Sequence, residues 1–421
     1  PAKKVSLVRP IEIQNFRAND QRGVNVFETP KEPGATFNGF QLSWGAAFMQ
    51  NFQGLKHSNT AAPVTKTITG TTTQYNANEL MQIGKGFNNA SANLYLNAQL
   101  APGIRVALTS YLSSRHHNET WVKDGFLLID QSPIDFAPLN TIMKYVTVRA
   151  GHFEINYGDA HFRRTDNGNS IYNPFVGNLL MDAFTTEVGG EVYVRANGLM
   201  AMGAVTGGEI KGNVLSPSDR KPAFLGKVGY DRQLTKLVRT RLTGSYYANS
   251  SSPAQTLYAG DRGGSPYFWA LENTQASSTG NAFSGTVNPA FRHNVRAFQI
   301  NPFVKVAGLE FFGVAEQAKG KSVGEAADRK WTQYAGEAVY RLFPSEQVYV
   351  AGRYNTAKGT LNGIANDVSV DRSQLGAGWY VTPGVLLKGE YVNQKYNDFP
   401  STDIRNGGKF SGIMVSGAVS F

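Results

Sequence analysis

The sequence contains no cysteine. A disulfide framework and a thiolate metal site are both excluded, and with them the small stapled secreted folds. No apolar run approaches the eighteen or so residues that a membrane-spanning helix requires, and the mean hydropathy is slightly negative. A helical membrane protein is excluded on that ground. The six histidines, His57, His116, His117, His152, His161 and His293, show no His-Glu-x-x-His or other zinc spacing. The pair His116-His117 reads as part of a solvated loop, so no metal site is expected. A glycine-rich phosphate loop of the form Gly-x-x-x-x-Gly-Lys-Ser/Thr is also missing. Neither a catalytic residue nor a cofactor is read from the chain. His152 or His161 near Asp159 would suit a hydrolytic barrel, and a lipid or ester hydrolysis assay separates that reading from a non-enzymatic one.

What the chain does have is aromatic residues, with 19 Tyr and 25 Phe, and 45 Gly among 421 residues. That mixture suits many strands joined by polar turns. The length allows two or three soluble domains or one large closed barrel. Net charge is +10, from 41 Lys plus Arg against 31 Asp plus Glu. The basic residues are spread along the chain, which points to an anion pathway or an anionic surface and away from nucleic acid. The first residues, Pro1-Ala2-Lys3-Lys4, carry no apolar stretch, and the expectation is that a secretory signal has been removed.

Between Ala90 and Leu100 the even positions are apolar (Ala90, Ala92, Leu94, Leu96, Ala98, Leu100), and Ser91, Asn93, Tyr95, Asn97 and Gln99 alternate with them. After Ala101-Pro102-Gly103 the pattern resumes with Ile104, Val106, Leu108 and Leu112 on one face. A period of two on both sides of a tight turn is a hairpin. The same pattern predicts strands near 39–50, 88–100, 103–116, 119–130, 143–153, 185–195, 199–208, 222–232, 237–249, 295–306, 309–318, 330–343, 348–357, 372–382, 385–396 and 409–421. The segment 119–130 alternates poorly.

Connections between these segments alternate in length. The short ones are Ala101 to Gly103, Ala196 to Gly198, Gln233 to Lys236, Ala307 to Gly308, Pro344 to Gln347 and Thr382 to Gly384; the long ones lie near 51–87, 154–184, 209–221, 250–294, 319–329, 358–371 and 397–408. Two break the rule. The connection at 131–142, with Pro133 and Pro138, is too long for its class, and that at 117–118 is too short. Sorted connections and strands of about ten residues predict an all-β fold, a transmembrane antiparallel β-barrel of about sixteen strands with short periplasmic turns and long external loops. Closure satisfies every backbone polar group in lipid. The chain ends on an alternating strand, Phe410 to Phe421, with Ile413, Val415, Val419 and Phe421 on one face. A terminal Phe in that setting resembles the targeting signal of bacterial outer-membrane barrels. The expected location is therefore the outer membrane of a Gram-negative-type bacterium, with outer-membrane lipid and lipopolysaccharide around the barrel. Aromatic residues Phe40, Trp44, Phe48, Trp379 and Tyr391 fall near strand ends, where girdles at the lipid boundaries belong.

If the apolar face meets lipid, the other face lines the interior. It carries Arg105, Tyr145, Arg149, Glu191, Arg195, Lys227, Arg239, Arg241, Gln299, Glu337, Arg341, Arg353, Lys388 and Glu390. An unpaired buried ion costs roughly several kcal/mol, so this composition predicts a water-filled lumen. The third external connection, 154–184, holds Arg163-Arg164-Thr165-Asp166 and an apolar tail around Leu179-Leu180-Met181. Such a tail suits a loop folded inward, with Arg163, Arg164 and Asp166 at a pore constriction. Residues 1–38 are read as an N-terminal periplasmic extension and 39–421 as the barrel; Ile11, Ile13, Phe16, Val24, Val26 and Phe27 suit a short strand against a rim or a subunit boundary.

The run Val146-Thr-Val-Arg-Ala-Gly-His-Phe-Glu154, followed by Tyr157-Gly158 and Arg163-Arg164, resembles the phosphate- and polyphosphate-selective porin family. That resemblance implies a homotrimer of barrels with inward-folded loops and an arginine ladder for anions, for which Arg105, Arg149, Arg239, Arg241 and Arg353 are candidates. Inward carboxylates at Glu187, Glu191, Glu310, Glu337 and Glu390 oppose a strict anion filter, because a ring of one sign is what filters ions. The function expected is a porin passing small hydrophilic solutes with mild anion preference. The rival from another class is an adhesion or assembly barrel binding a partner through long loops such as 250–294.

Overall fold

The computed structural model describes residues 16–29, 31, 37–114, 120–210, 218–260, 264–277 and 284–421. The His116-His117 pair lies outside them. Sixteen strands form one closed antiparallel barrel: β1 (Gln41–Ser58), β4 (Gly86–Ala101), β5 (Ile104–Ser113), β6 (Trp121–Ile129), β7 (Val146–Glu154), β8 (Thr186–Ala196), β9 (Leu199–Thr206), β10 (Ala223–Gln233), β11 (Val238–Asn249), β12 (Asn294–Val306), β13 (Leu309–Lys321), β14 (Arg329–Leu342), β15 (Val348–Gly359), β16 (Val368–Thr382), β17 (Val385–Asn397) and β18 (Lys409–Ser420). Each pairs with the next in sequence, and β18 returns to β1 with Ala47 opposite Ser420. No sheet edge is left, so the backbone hydrogen bonds close on themselves. A small hairpin of β2 (Thr65–Thr67) and β3 (Gln74–Asn76) decorates the first long connection.

Every segment expected from the alternation is a strand. β1 runs to Ser58 because Asn51 and Gln53, polar residues that read as the start of a loop, are buried inward-facing positions, while Phe52 between them stays exposed. β6 owes its poor alternation to a bulge. Val122 and Asp124 pair with the adjacent residues Ser110 and Thr109, so Lys123 is skipped and both it and Asp124 turn inward. Phe126 and Leu128 then share the inner face with Arg105 and Ala107, which pair with them, and both faces become apolar. The connection 130–145 is long because it carries the helix α1 (Ala137–Ile142), with a proline in its first turn. Tyr145 belongs to this connection and is exposed, so its assignment to the inner face is corrected.

The connections sort by end. One end has 102–103, 130–145, 197–198, 234–237, 307–308, 343–347 and 383–384; the other has 59–85, 114–120, 155–185, 207–222, 250–293, 322–328, 360–367 and 398–408. Outside the barrel stand exposed apolar side chains on nearly every strand, with Phe40 and Trp44 at 65% and 72% exposure. A soluble monomer does not expose an apolar surface of that extent, whereas lipid requires it.

Candidate functional site

The site is the inner wall and the segments that enter it. Side chains alternate along a strand, so the parity that turns Leu94, Leu242 or Tyr391 outward turns their neighbours inward. Apart from Tyr145, the residues expected on the inner face lie there, but few of them meet solvent: Arg105, Lys227, Glu191, Lys388 and Glu390 are at most 2% exposed. The expectation of an inner wall bathed in water needs correction in this conformation. Its charges are satisfied by protein, because opposite charges have been set directly across from one another in the sheet register. Arg149 pairs with Glu191, Asp231 with Arg241, Lys305 with Glu310 and Glu337 with Arg353. Their ion-pair distances are 2.6, 3.2, 3.4 and 2.7 Å. Arg105 finds Asp130 at 2.9 Å, and Arg239 finds Asp231 at 2.7 Å. Paired in this way, buried charge loses most of the desolvation objection that implied a wet lumen.

The 155–185 connection fills much of the space. Its backbone has left water and must find partners, and the wall supplies them from side chains. Lys388 Nζ donates to the carbonyls of Ser170, Asn173 and Phe175 at 2.7 to 2.9 Å. Two residues along the same face of β17, Glu390 accepts from the amides of Val176 and Gly177 at 2.7 and 3.1 Å and from the Tyr267 hydroxyl at 2.6 Å. Arg353 donates to the Gly177 carbonyl at 2.8 Å and lies 4.1 Å from the centre of the Phe175 ring. Asn355 accepts from Leu180 N–H at 2.6 Å, and the Gln333 amide holds both the N–H and the C=O of Met181. Around this polar clamp Val176, Leu180 and Met181 join a core with Leu257, Tyr258 and Tyr267 from the 250–293 connection. Farther along the ring the loop meets β1 and β4, where a Cβ on Gly168 would sit 2.7 Å from the Ala47 carbonyl and 2.5 Å from Ala92 Cα. Only glycine permits that approach.

Arg163, Arg164 and Asp166 sit inside the barrel but do not form one ring. Arg163 turns toward β13 and β14, 3.3 Å from Glu337 and 3.7 Å from Glu310. Its neighbour Arg164 makes a two-pronged contact with Asp182 at 2.9 and 2.5 Å. Asp166 faces β5 and β6, accepting from the Tyr111 hydroxyl at 2.5 Å and pairing with Lys123. His161, placed between Glu154 and Asn156, is pushed down by burial, which outweighs the opposing Glu154 contact. His152 instead contacts Thr186. The two histidines are thus drawn to different partners, and neither contacts Asp159, whose carboxylate is held by Lys227, Arg241 and Thr243.

The described part of the N-terminal stretch is an extended segment with one short 3₁₀ turn at Gln21–Gly23, lying along the inner side of the short-turn mouth. Gln21 bonds Pro383 and Ser345, Asn25 bonds Glu310 at 2.6 Å, Glu28 meets Lys227 and Arg241, and Lys31 reaches Val146. Gly23, Asn25 and Phe27 are buried, and Phe27 stacks edge-on against Phe303 and Phe162. Burial pushes the Glu28 carboxyl up, but the charges of Lys227 and Arg241 outweigh it and hold it well below the usual carboxylate range.

Sequence reasoning missed Glu28, Asp159, Asp231, Gln333, Asn355 and Arg372 as members of this interior. Strand parity was a usable signal for Gln333, Asn355 and Arg372, since each shares a face with Glu337, Arg353 or Gln374. Nothing in the sequence pattern marks Glu28.

No protein-family model matches the chain, and no curated protein matches it. Solved structures do. The anion-selective porin from Comamonas acidovorans superposes with a TM-score of 0.56 at 12% identity, covering 91% of this chain and 100% of that one. The outer membrane channel DcaP of Acinetobacter baumannii gives 0.54 at 9% identity, covering 92% and 99%. OprB of Pseudomonas putida gives 0.52 at 12%, covering 91% and 94%. At such identities the shared property is the fold, a closed sixteen-stranded barrel of the outer-membrane porin kind.

Proposed function

We propose that this chain is an outer-membrane porin, a diffusion channel for small hydrophilic solutes with mild anion preference, assembled as a homotrimer. The observation that carries the reading is the polarity of the closed ring, which is apolar and aromatic outside and lined inside with charged and amide side chains from every part of the wall. Lipid dictates the first face, and a solute path accounts for the second. The net charge of +10 favours anions, and the Comamonas protein of like fold is described as anion-selective. Arg163, Arg164 and Asp166, carried on the connection that crosses the lumen, are the proposed constriction, and the sorted long connections the external loops.

Single-channel recording in a planar bilayer tests the reading. Discrete conductance steps are expected, and deletion of Phe162 to Asn169 is expected to enlarge them; unchanged steps would remove this loop from the constriction. Reversal potentials in a KCl gradient should show chloride moderately favoured, and strong cation selectivity would contradict the anion preference. A folded barrel that never conducts would transfer the reading to a partner-binding barrel.

A further inference from the structure

The segment Phe16–Thr29 follows the inner rim past one short turn after another, and the cations of that rim point at it. Arg239 Nη1 donates to the Asn25 carbonyl at 2.9 Å, Arg195 to the Thr29 carbonyl, and Arg163 to the Asn25 side-chain oxygen. Lys227 Nζ and Arg241 Nη2 lie 2.8 and 2.6 Å from the two carboxylate oxygens of Glu28, and Asn156 Nδ2 donates to the first at 2.9 Å. The Glu28 side chain is only 5% exposed. Arginine, lysine and a side-chain amide converging on both oxygens of a carboxylate make a recognition site. Its occupant here is a residue of the protein itself.

Charge counting shows what withdrawal of that residue would leave. Lys227, Arg239 and Arg241 face the carboxylates of Glu28, Asp159 and Asp231, and Arg195, bonded to the adjacent Thr29 carbonyl, makes four cations against three anions. Without Glu28 the count becomes four against two. Both Asp159 and Asp231 remain fixed by their own contacts, at 2.8 and 2.7 Å, and hold the cations in place. The segment itself is not part of the sheet. It is held by side-chain contacts and single backbone bonds, such as Gln21 N–H to Pro383 at 2.8 Å.

We propose that Phe16–Thr29 is a withdrawable strap across the short-turn mouth, and that Glu28 is a built-in ligand occupying a site that takes the carboxylate of a small organic anion when the strap leaves. This rests on the channel reading. The strap closes the mouth, and its Glu28 offsets the cations of the Lys227–Arg241 cradle; its departure opens the path and exposes that cradle to solute.

Because the protein is free of cysteine, the strap can be locked cleanly. The pair Gln21→Cys with Pro383→Cys fixes it to the β16–β17 turn when oxidised, and replacing residues 16–29 by a Gly/Ser segment of equal length releases it. Heat-modifiable gel migration reports that each barrel is folded. In KCl across a planar bilayer, the released variant is expected to conduct several-fold more than the oxidised pair and to shift its reversal potential toward chloride. Succinate should then block its current, and adding Lys227→Met with Arg241→Gln should abolish the block of whatever current remains. Reduction of the locked pair should restore the parent conductance. Equal conductance in released and oxidised proteins would overturn the strap and leave the channel intact. A released channel indifferent to succinate would overturn the carboxylate site. Silence from every folded variant, parent included, would overturn the channel reading itself.

Discussion

The wall from β12 to β17 and the wall from β4 to β7 are built differently. The first has strands of 12 to 15 residues, and its inward polar groups are spent on the backbone of the 155–185 connection. In the second, β4 has 16 residues but β5, β6 and β7 have only 10, 9 and 9. Its register shifts at Gln99/Ala101 and at Thr109/Ser110, and its inner residues Tyr95, Asn97, Asp124, Phe126 and Leu128 keep partial exposure. One wall is a socket for the body of a loop; the other holds only its tip, through Asn93, Tyr111 and Lys123, and leaves the rest of its inner face as lining. The difference teaches that polar residues on a barrel's inner face serve two ends, anchoring and passage, and that composition alone does not separate them.

The comparison can be broken first at the socket. Arg353→Met removes the nearer of the two cations on Glu337, leaving Arg163 at 3.3 Å, and strips the Gly177 carbonyl of its nearer donor; a buried polar group left unsatisfied costs up to about 3 kcal/mol, and the midpoint of denaturant unfolding should fall accordingly. If it does not, the packed wall is less demanding than its geometry implies. Next comes Gly151→Ala on the lining wall. At φ 137° with a built Cβ only 2.5 Å from the Gly125 carbonyl, alanine is expected to cost about 1–3 kcal/mol, which would show that a lining still contains fixed points. Smaller again, Asn97→Lys should change stability by no more than about 0.5 kcal/mol yet move the reversal potential further toward chloride; an unmoved potential would deny the lining role.

The smallest effect concerns pH. The Glu28 carboxyl is depressed below its ordinary value near 4.5, so its contribution is fully present above that value and is lost only as pH falls toward the depressed one. Taking the medium from pH 7 to about pH 5.5 should leave conductance through this mouth unchanged, whereas a rise over that interval would mean that Glu28 is less firmly held.

The strands were legible because lipid on one side and polar groups on the other impose strict alternation, as in Ala90 to Leu100. Where the inner face turned apolar, at Phe126 and Leu128, the signal weakened although the strand remained. The apolar tail Leu179-Leu180-Met181 announced a loop that would not stay in water. Its polar sockets went unread, since a glutamine that bonds a backbone 152 residues away leaves no local trace. Glu28 was hidden for the same reason. The charged inner residues were placed on the right face but credited to water, because register pairs such as Glu337 and Arg353 appear only once strands are laid side by side.

The clamp of Lys388 and Glu390 on residues 170–177 joins positions more than 200 apart in the chain. Contacts of such separation form late, after much loop-closure entropy has been lost. The connection after β7 is synthesised early and cannot seat until β17, the penultimate strand, is in position. Docking of that connection thus reports that the ring has closed in the correct order, and a chain truncated before Val385 would have its first half present and its interior unformed.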